Sequence, residues 1–413
     1  MLLALLLAAT TTTATPIPLD KAHRAFEEVR LAAEEEGGKL WGVPLAGPMI
    51  FVDRETRFAV ANQRDAEGAL QPAGPVFTGT VPPHIVLANT ATTWAGVRWT
   101  MVVWGAVSDR TVPRRRLLFH ETWHRIQGDL GFPGVSTPVS DLESLEGRYW
   151  LQLELRALEA ALRGSDEKRQ NAIRDALTFR VRRRKLLPSA GEHERALEAN
   201  EGLAEYTGFA MRGTSDSESR IALAERLARL DREASFVRSF AYETGPAYGL
   251  LLDAAAPGWT RRFRPTDDLS VALGIASRVK IDESQADAAA SRYGGSQLRA
   301  AEQKRAKERA ERTARYRALF VDGPVLEISL EGARYGFDPN TVFSLEAIGS
   351  YYPTLDVTGD WGRLSVKDGA VIASDFKRVL VPANGKGWTL DLNPGWKIAP
   401  GTRPGDQTVA RSE

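Results

Sequence analysis

The 413-residue sequence contains no cysteine and only five histidines, and no run of apolar residues is long enough to cross a membrane. The absence of cysteine excludes disulfide bonds, thiolate metal sites and cysteine nucleophiles. A formal net charge of +1 gives the chain no strong attraction to nucleic acid or to an anionic membrane surface. Any metal site must therefore be built from a few histidines and from carboxylates.

The chain begins with a short apolar segment over residues 2–9, which a threonine-rich stretch follows. This segment is too short to span a bilayer and suits the core of a signal peptide, although the usual basic residues before the core are missing. We therefore predict a signal peptide over residues 1–16, with cleavage after Ala14. The mature protein is expected to be secreted or periplasmic, without stable insertion in a membrane.

Changes in composition and periodicity along the chain predict an α+β protein. Residues 17–110 are expected to form one helix and a small, mostly antiparallel sheet, and helical periodicity dominates residues 111–281. An Ala-, Arg- and Glu-rich stretch over 282–322 predicts a charged helical connector. Short alternating segments broken by glycine, proline and asparagine predict a small β domain over 323–400, followed by a flexible tail over 401–413.

Four segments in the N-terminal part have the pattern of strands. Residues 48–53 and 57–62 flank a polar turn and predict a hairpin, and residues 84–90 and 96–104 are two further strand candidates. We expect the segment 96–104 to be an edge strand, where an extended peptide can bind by adding a strand.

The most informative stretch is His120-Glu121-Thr122-Trp123-His124, a His-Glu-x-x-His pattern within a helix predicted over residues 112–128. Residues i and i+4 of a helix lie on one face, so that His120 and His124 can bind the same metal ion. Glu121 lies beside them and is placed to act as a general base. This pattern is typical of zinc metallopeptidases.

A zinc site with two histidines needs a third protein ligand and an open position. No histidine follows at short spacing, so we expect a carboxylate from another helix. Glu201 is the best candidate, because Gly202 would allow its helix to approach the motif helix closely. Glu205, one turn further, is expected to accept the second ring N–H of His120 or His124. The alternative ligands are Glu205, Glu154 and Glu198.

His-Glu-x-x-His followed by Asn-Glu-Gly-Leu-Ala-Glu-Tyr over residues 200–206 resembles the gluzincin metallopeptidases. The second segment is similar to the Asn-Glu-Gly-Phe-Ala segment of the aminopeptidase N-like branch, whose glutamate binds zinc. The resemblance covers roughly residues 95–253 and implies a zincin-like catalytic unit. It implies Zn²⁺ as the cofactor, Glu121 as the base, and three ligands: His120, His124 and Glu201.

That family also has a downstream tyrosine, in a Tyr-x-x-Gly setting, that stabilises the tetrahedral intermediate. Tyr242 stands in a similar setting and in the same order, and Tyr248 and Tyr206 are the alternatives. Two features depart from the aminopeptidase branch. The connection from His124 to Glu201 is longer, and the Gly-Ala-Met-Glu-Asn segment that binds a free substrate amine is absent, so that aminopeptidase specificity is not implied.

The sequence therefore predicts a zinc-dependent metallohydrolase that cleaves peptide or protein substrates. Two alternatives stay open: a zinc hydrolase acting on a non-protein amide such as one in a cell wall, and a secreted binding or scaffold protein. For the scaffold, the C-terminal β domain would be the working surface. The basic run over residues 180–185 is expected to form a solvated helix face, with a polyanion site as the alternative.

Overall fold

The computed structural model describes residues 16–134, 136–230, 235–338, 341–345 and 348–412. The predicted signal peptide, apart from its last residue, lies outside these ranges. The protein combines helices with β-sheets and has a C-terminal β region, as the α+β prediction stated. The chain divides into two compact units, Met1–Glu302 and Gln303–Glu413. Among the described helices, none has the length and apolar character of a membrane span.

The first unit opens with helix α1 (Leu19–Glu36) and a six-stranded sheet with the order β3-β4-β2-β1-β6-β5. All neighbouring strands are antiparallel except β1 and β6, which are parallel. The predicted hairpin and the predicted strand over 96–104 are confirmed. The strands are β1 (Met49–Val52), β2 (Phe58–Ala61), β3 (Gln71–Ala73), β4 (Val76–Thr80), β5 (Thr90–Trp94) and β6 (Val97–Val103).

Two predictions about these strands are wrong. Residues 84–89 form no strand. The Arg57 guanidinium donates hydrogen bonds to the carbonyl oxygens of Val81, Pro82 and Ile85, and these bonds hold the segment as a loop. The segment 96–104 is not an edge strand either, since β6 lies between β1 and β5. The edge strands are β3 and β5. The strand β5, which lies beside β6, was not identified by the sequence analysis.

The rest of the first unit is helical. Helix α2 begins with proline in its first turn and contains no glycine, and it ends just before Gly128. A π-helical turn, Glu198–Gly202, joins α5 to α6. The α-helices are α2 (Thr111–Ile126), α3 (Leu145–Arg163), α4 (Asp166–Leu186), α5 (Ala190–Leu197), α6 (Leu203–Ala210), α7 (Asp216–Leu227), α8 (Ala241–Ala255), α9 (Leu269–Ser277), α10 (Ala286–Ala290) and α11 (Gly295–Arg317), of which α11 begins in the first unit and ends in the second.

Close helix contacts in this unit depend on glycine. A Cβ on Gly208 of α6 would lie 2.5 Å from the carbonyl oxygen of Arg116, so that glycine allows α6 to approach α2. Gly202 does not have this role, contrary to the prediction. Its Cα instead faces Gly245 of α8, where a Cβ on Gly245 would lie 2.2 Å from the Gly202 Cα atom.

The prediction that the basic run on α4 is a solvated face is wrong for Arg180 and Arg183, whereas Lys185 at the end of the run is exposed. Arg180 and Arg183 are fully buried, and they form ion pairs with carboxylates of three helical segments. Buried charges of this kind are tolerated when each has a partner of opposite sign. The partner carboxylates belong to Glu154, Glu194 and Glu198.

The second unit contains two antiparallel-rich sheets, with the orders β16-β17-β7-β14-β13-β10-β9 and β15-β12-β11-β8. The predicted flexible tail is wrong for its last part, because β17 pairs with both β16 and β7. The strands are β7 (Val325–Ser329), β8 (Arg334–Gly336), β9 (Phe343–Ser344), β10 (Gly349–Tyr352), β11 (Leu355–Gly359), β12 (Gly362–Val366), β13 (Ala370–Ala373), β14 (Arg378–Pro382), β15 (Trp388–Leu392), β16 (Trp396–Pro400) and β17 (Gln407–Arg411).

Candidate metal centre

Helix α2 presents two imidazoles, one turn apart, to the same side. The rings of His120 and His124 are buried and their centroids are 5.2 Å apart. The same helix is anchored in the apolar core by Leu118, Phe119 and Trp123, whose side chains are fully buried. The apolar residues of the motif helix therefore fix the direction in which both histidines point.

The π-helical turn brings Glu201 to the two imidazoles. Its Oε2 atom lies 3.7 Å from Nε2 of His120 and 3.6 Å from Nε2 of His124. The three potential ligand atoms all lie within 4.8 Å of one another. A hydrogen bond of 3.1 Å from the Trp123 indole to the carbonyl oxygen of Asn200 joins the turn to α2. The three residues predicted to be ligands are thus neighbours in space.

Glu205 contacts the opposite nitrogen of His120. Its Oε2 atom lies 2.8 Å from the His120 Nδ1 atom, and its Oε1 atom accepts hydrogen bonds from Arg116 and Arg226 at 2.9 and 2.5 Å. A carboxylate at Nδ1 favours the tautomer that carries its proton there and leaves Nε2 free to bind a metal. This is the orienting position that was predicted for Glu205, on the side of the ring away from Glu201.

The other two alternative ligands lie in the buried arginine network instead. Glu154 contacts Arg180 and Arg183, and Glu198 contacts Arg180 and accepts a hydrogen bond of 2.6 Å from the Thr244 hydroxyl. Neither belongs to the group of residues that could hold a metal ion in the described part of the chain. Glu201 therefore remains the candidate for the third ligand.

Glu121 is buried beside the two histidines and lines the same cleft. Its Oε2 atom has no hydrogen-bond partner among the described residues. Burial raises the pKa of this carboxyl group, because an ionised carboxylate loses its hydration there. A buried carboxylate oxygen without a protein partner is costly, so the Glu121 carboxylate retains an acceptor atom that a water molecule or a substrate group can satisfy.

Tyr242 is the tyrosine that reaches the site. Its hydroxyl donates a hydrogen bond of 2.6 Å to Glu201 Oε2, and its ring stacks parallel to the His120 ring. The two alternatives are elsewhere in the core. Tyr248 donates to Glu154, and Tyr206 donates to Asp253, each at 2.7 Å.

The charges of the site favour a cation between the imidazoles and Glu201. Burial lowers the pKa of His120, but its contacts with Glu201 and Glu205 outweigh burial and raise that pKa to about 10. Burial opposes ionisation of Glu205, yet contacts with His120 and two arginines lower its pKa to about 2. Interactions with both histidines and Tyr242 overcome burial at Glu201 in the same way and lower its pKa well below the usual range. A proton or a metal cation can supply the positive charge.

A cleft of about 540 Å³ opens over these residues. Its lining includes three arginines that the sequence analysis did not identify as site residues: Arg98, Arg116 and Arg226. Of the three, only Arg116 could have been predicted from the sequence to lie at the site, because it lies four residues before His120 and therefore on the same face of α2. Arg98 and Arg226 belong to β6 and α7, and no spacing in the sequence connects them with the motif.

The donor set fits zinc. Two imidazole nitrogens and one carboxylate oxygen are a common set of protein ligands for a catalytic zinc ion, which keeps a further position open. Ligand atoms that each lie about 2 Å from one tetrahedral ion are separated by roughly 3.3 Å, and the distances from Glu201 Oε2 to the two imidazole nitrogens are close to this value. In comparisons with protein-family models, curated protein sequences and solved structures, no significant match to this chain was found.

Proposed function

We propose that the first unit is a zincin-like peptidase of the gluzincin type, with zinc held by His120, His124 and Glu201. The observation that carries the proposal is the meeting of these three groups with the unpartnered carboxylate oxygen of Glu121 in one cleft. The residues come from two distant segments that resemble the two gluzincin motifs. A structural metal site would have no need for a buried, unpaired carboxylate beside it.

Zinc bound by these ligands would lower the pKa of a water ligand to about 7 and polarise a substrate carbonyl group. Glu121 holds and moves the proton. Its free Oε2 atom accepts the proton of the attacking water and then delivers it to the nitrogen of the leaving amine. Because burial raises the pKa of this carboxyl group, the protonated form is less costly here than in water.

Tyr242 would donate a hydrogen bond to the substrate oxygen on which negative charge develops. Its hydroxyl donates to Glu201 in this structure, so that the side chain would exchange this acceptor for the substrate oxygen. A preorganised donor in a site of low dielectric constant stabilises an oxyanion more strongly than water does. Glu205 orients His120 and is itself fixed by Arg116 and Arg226.

A peptide substrate is favoured by the position of β5. This strand pairs only with β6 among the described strands, so that no described strand takes up the hydrogen-bonding groups of its other edge. Thr90 and Ala91 of β5 line the cleft that contains the candidate metal centre. An extended peptide that adds to this edge would therefore place one of its peptide bonds over the site.

The test combines metal analysis with digestion of a peptide library in the presence and absence of a chelator. We expect one zinc per chain and cleavage that the chelator abolishes. Glu121→Gln should retain zinc but lose cleavage by a factor of at least about 100, whereas Glu201→Ala should lose zinc. Glu225→Gln, an exposed change on α7, is the matched control and should alter neither property.

Each alternative has its own outcome in this test. If the protein binds zinc and hydrolyses cell-wall fragments but cleaves no peptide, its substrate would be a non-protein amide. The absence of stoichiometric zinc would overturn the hydrolase and favour a binding or scaffold protein. Full cleavage by Glu121→Gln would contradict the proposed proton transfer.

Export is part of the proposal and rests on the apolar segment over residues 2–9. We expect the mature protein in the culture fluid or the periplasm to begin at Thr15, after cleavage at Ala14. N-terminal sequencing of the protein from these fractions would decide this.

A further inference from the structure

The three cleft arginines are not equivalent in their partners. Arg116 and Arg226 both contact Glu205, and Arg226 also pairs with Glu243, so their charges are compensated within the protein. Arg98 forms no ion pair with a carboxylate among the described residues, and it is exposed in the cleft. It therefore supplies a positive charge that the protein itself does not neutralise.

Backbone carbonyl groups hold the Arg98 side chain at the C-terminal end of α2. Its Nη2 atom donates to the carbonyl oxygen of His124 at 3.1 Å, and its Nε atom donates to that of Arg125 at 3.0 Å. The Nη1 atom has no partner in the described part of the chain. The arginine also offsets the negative end of the helix dipole, which would otherwise repel an anion at this place.

Two buried side-chain amides line the same cleft. Gln127 directly follows α2 and Asn200 directly precedes Glu201, and both side chains are at most 5% exposed. The oxygen atom of each amide, Gln127 Oε1 and Asn200 Oδ1, lacks a hydrogen-bond partner among the described residues. The Asn200 Nδ2 atom donates a hydrogen bond of 3.2 Å to the Ser136 hydroxyl. A half-turn of an amide exchanges its oxygen for an NH₂ group, and the Ser136 hydroxyl can then donate to the turned Asn200 oxygen, so each amide can donate to an anion.

The geometry points to a carboxylate subsite in which Arg98, with the amides of Gln127 and Asn200, binds an acidic group of the substrate beside His124. This inference rests on the proposed peptidase function for the identity of the substrate. A peptide offers such a group either as its C-terminal carboxylate or as an Asp or Glu side chain near the cleaved bond. The guanidinium group suits a carboxylate because it donates several parallel N–H bonds in one plane.

The test measures peptide binding by calorimetry, with zinc-loaded Glu121→Gln protein so that the peptides are not cleaved. The probes are three acetylated alanine peptides: one with a free C-terminal carboxylate, one with a C-terminal amide, and one amidated peptide with an internal aspartate. We expect at least one carboxylate peptide to bind about 10-fold or more tightly than the neutral peptide. The peptide that is preferred identifies the source of the carboxylate.

Three controls separate this subsite from other causes of the preference. The same preference must appear after zinc is removed with a chelator, because a carboxylate can also bind directly to the metal. Arg98→Gln in the Glu121→Gln background should abolish the preference, and Arg98→Lys should restore part of it. Arg54→Gln in the same background, at an exposed turn between β1 and β2 at the far end of the sheet, removes the same charge and should retain the preference.

Three results would overturn the proposal. The neutral and acidic peptides bind equally, the preference disappears when zinc is removed, or the preference persists in Arg98→Gln. Arg98→Gln loses contacts at the end of α2 and could fail to fold for that reason. In that case, the binding of neutral and carboxylate peptides to the zinc-free Glu121→Gln protein still decides whether a carboxylate subsite exists. Failure of the peptidase proposal is a separate result. If the protein prefers carboxylate peptides but the parent cleaves none, the subsite proposal stands and the peptidase proposal fails. If the parent cleaves peptides but shows no preference for carboxylates, only the peptidase proposal stands.

Discussion

His120 and Glu205 face each other across 2.8 Å, between Nδ1 of the ring and Oε2 of the carboxylate. The other nitrogen of the ring is directed at Glu201, so one histidine connects the candidate metal ligands with a fixed acidic group. Arg116 and Arg226 hold that acidic group from its other oxygen. The orientation of His120 is thus determined by residues that lie outside the candidate group of metal ligands.

Glu205→Gln should weaken zinc binding by about 10- to 100-fold, because a neutral amide holds the His120 ring less firmly and makes Nε2 a weaker donor. A competition titration with a chelating dye measures the change. Glu243→Gln is the matched control, since Glu243 is buried and shares Arg226 but does not contact a histidine. Equal zinc affinity in both variants would contradict the proposal that Glu205 orients His120.

Tyr242→Phe should retain zinc and lower kcat by about 10²- to 10³-fold, with a smaller change in KM, because the lost hydrogen bond would act mainly on the charge that develops during the reaction. Steady-state kinetics on a peptide that the parent protein cleaves provides the measurement. Tyr335→Phe, at an exposed position in the second unit, serves as the control. A kcat within a factor of two of the parent would exclude Tyr242 from the mechanism.

Glu194 should make the protein sensitive to acid. Burial opposes its ionisation, but Arg183, Arg180 and Arg184 overcome burial and lower its pKa to about 2, compared with 4.5 for an unperturbed glutamate. A lowered pKa in the folded state stabilises the protein fully above pH 4.5, and the contribution is lost as the pH falls from 4.5 toward 2. The stabilisation at neutral pH is about 3 kcal/mol.

The measurement for Glu194 compares the thermal unfolding of the parent protein with that of Glu194→Gln at pH 7 and pH 3. The variant should unfold at a clearly lower temperature at pH 7, and the difference should narrow at pH 3, where the advantage of the carboxylate is largely lost. A difference in Tm that is the same at both pH values would show that Glu194 is not a source of the acid sensitivity.

Gly208→Ala should destabilise the protein by about 1–3 kcal/mol, because the added methyl group would lie 2.5 Å from the Arg116 carbonyl oxygen and force α6 away from α2. Thermal unfolding measures the effect. Gly191→Ala is the control: its Cβ would meet only the flexible Arg184 side chain, at 3.5 Å, and alanine is the better helix former. Similar Tm values for the two variants would contradict the close packing of α6 on α2.

The candidate site could be predicted from the sequence where residue spacing decides the geometry. His120 and His124 follow from the period of a helix, and so does the pairing of Glu201 with Glu205 on one face of the next segment. That the two segments meet could not be derived from spacing, and it came from the resemblance to a known pair of motifs. The α+β class followed from periods of 3.6 and 2 in different parts of the chain.

The sequence could not show which charged residues are buried. Arg180 and Arg183 look like part of an exposed basic run, because their partners lie on other helices and are matched to them only by the fold. Arg98 was missed for a related reason, as a single arginine on a strand shows neither a period nor a partner. The edge position of β5 was equally hidden, since strand order depends on pairing across the whole sheet.

The π-helical turn Glu198–Gly202 connects the buried interior with the cleft, which matters for the effect of mutations during evolution. One end of the turn is tied into the buried arginine network through Glu198, and three residues later Glu201 faces the imidazoles. If the proposed metal is bound, mutations deep in the interior would therefore alter its retention without touching it. Loss of the proposed activity in a natural variant would not by itself locate the damage at the cleft.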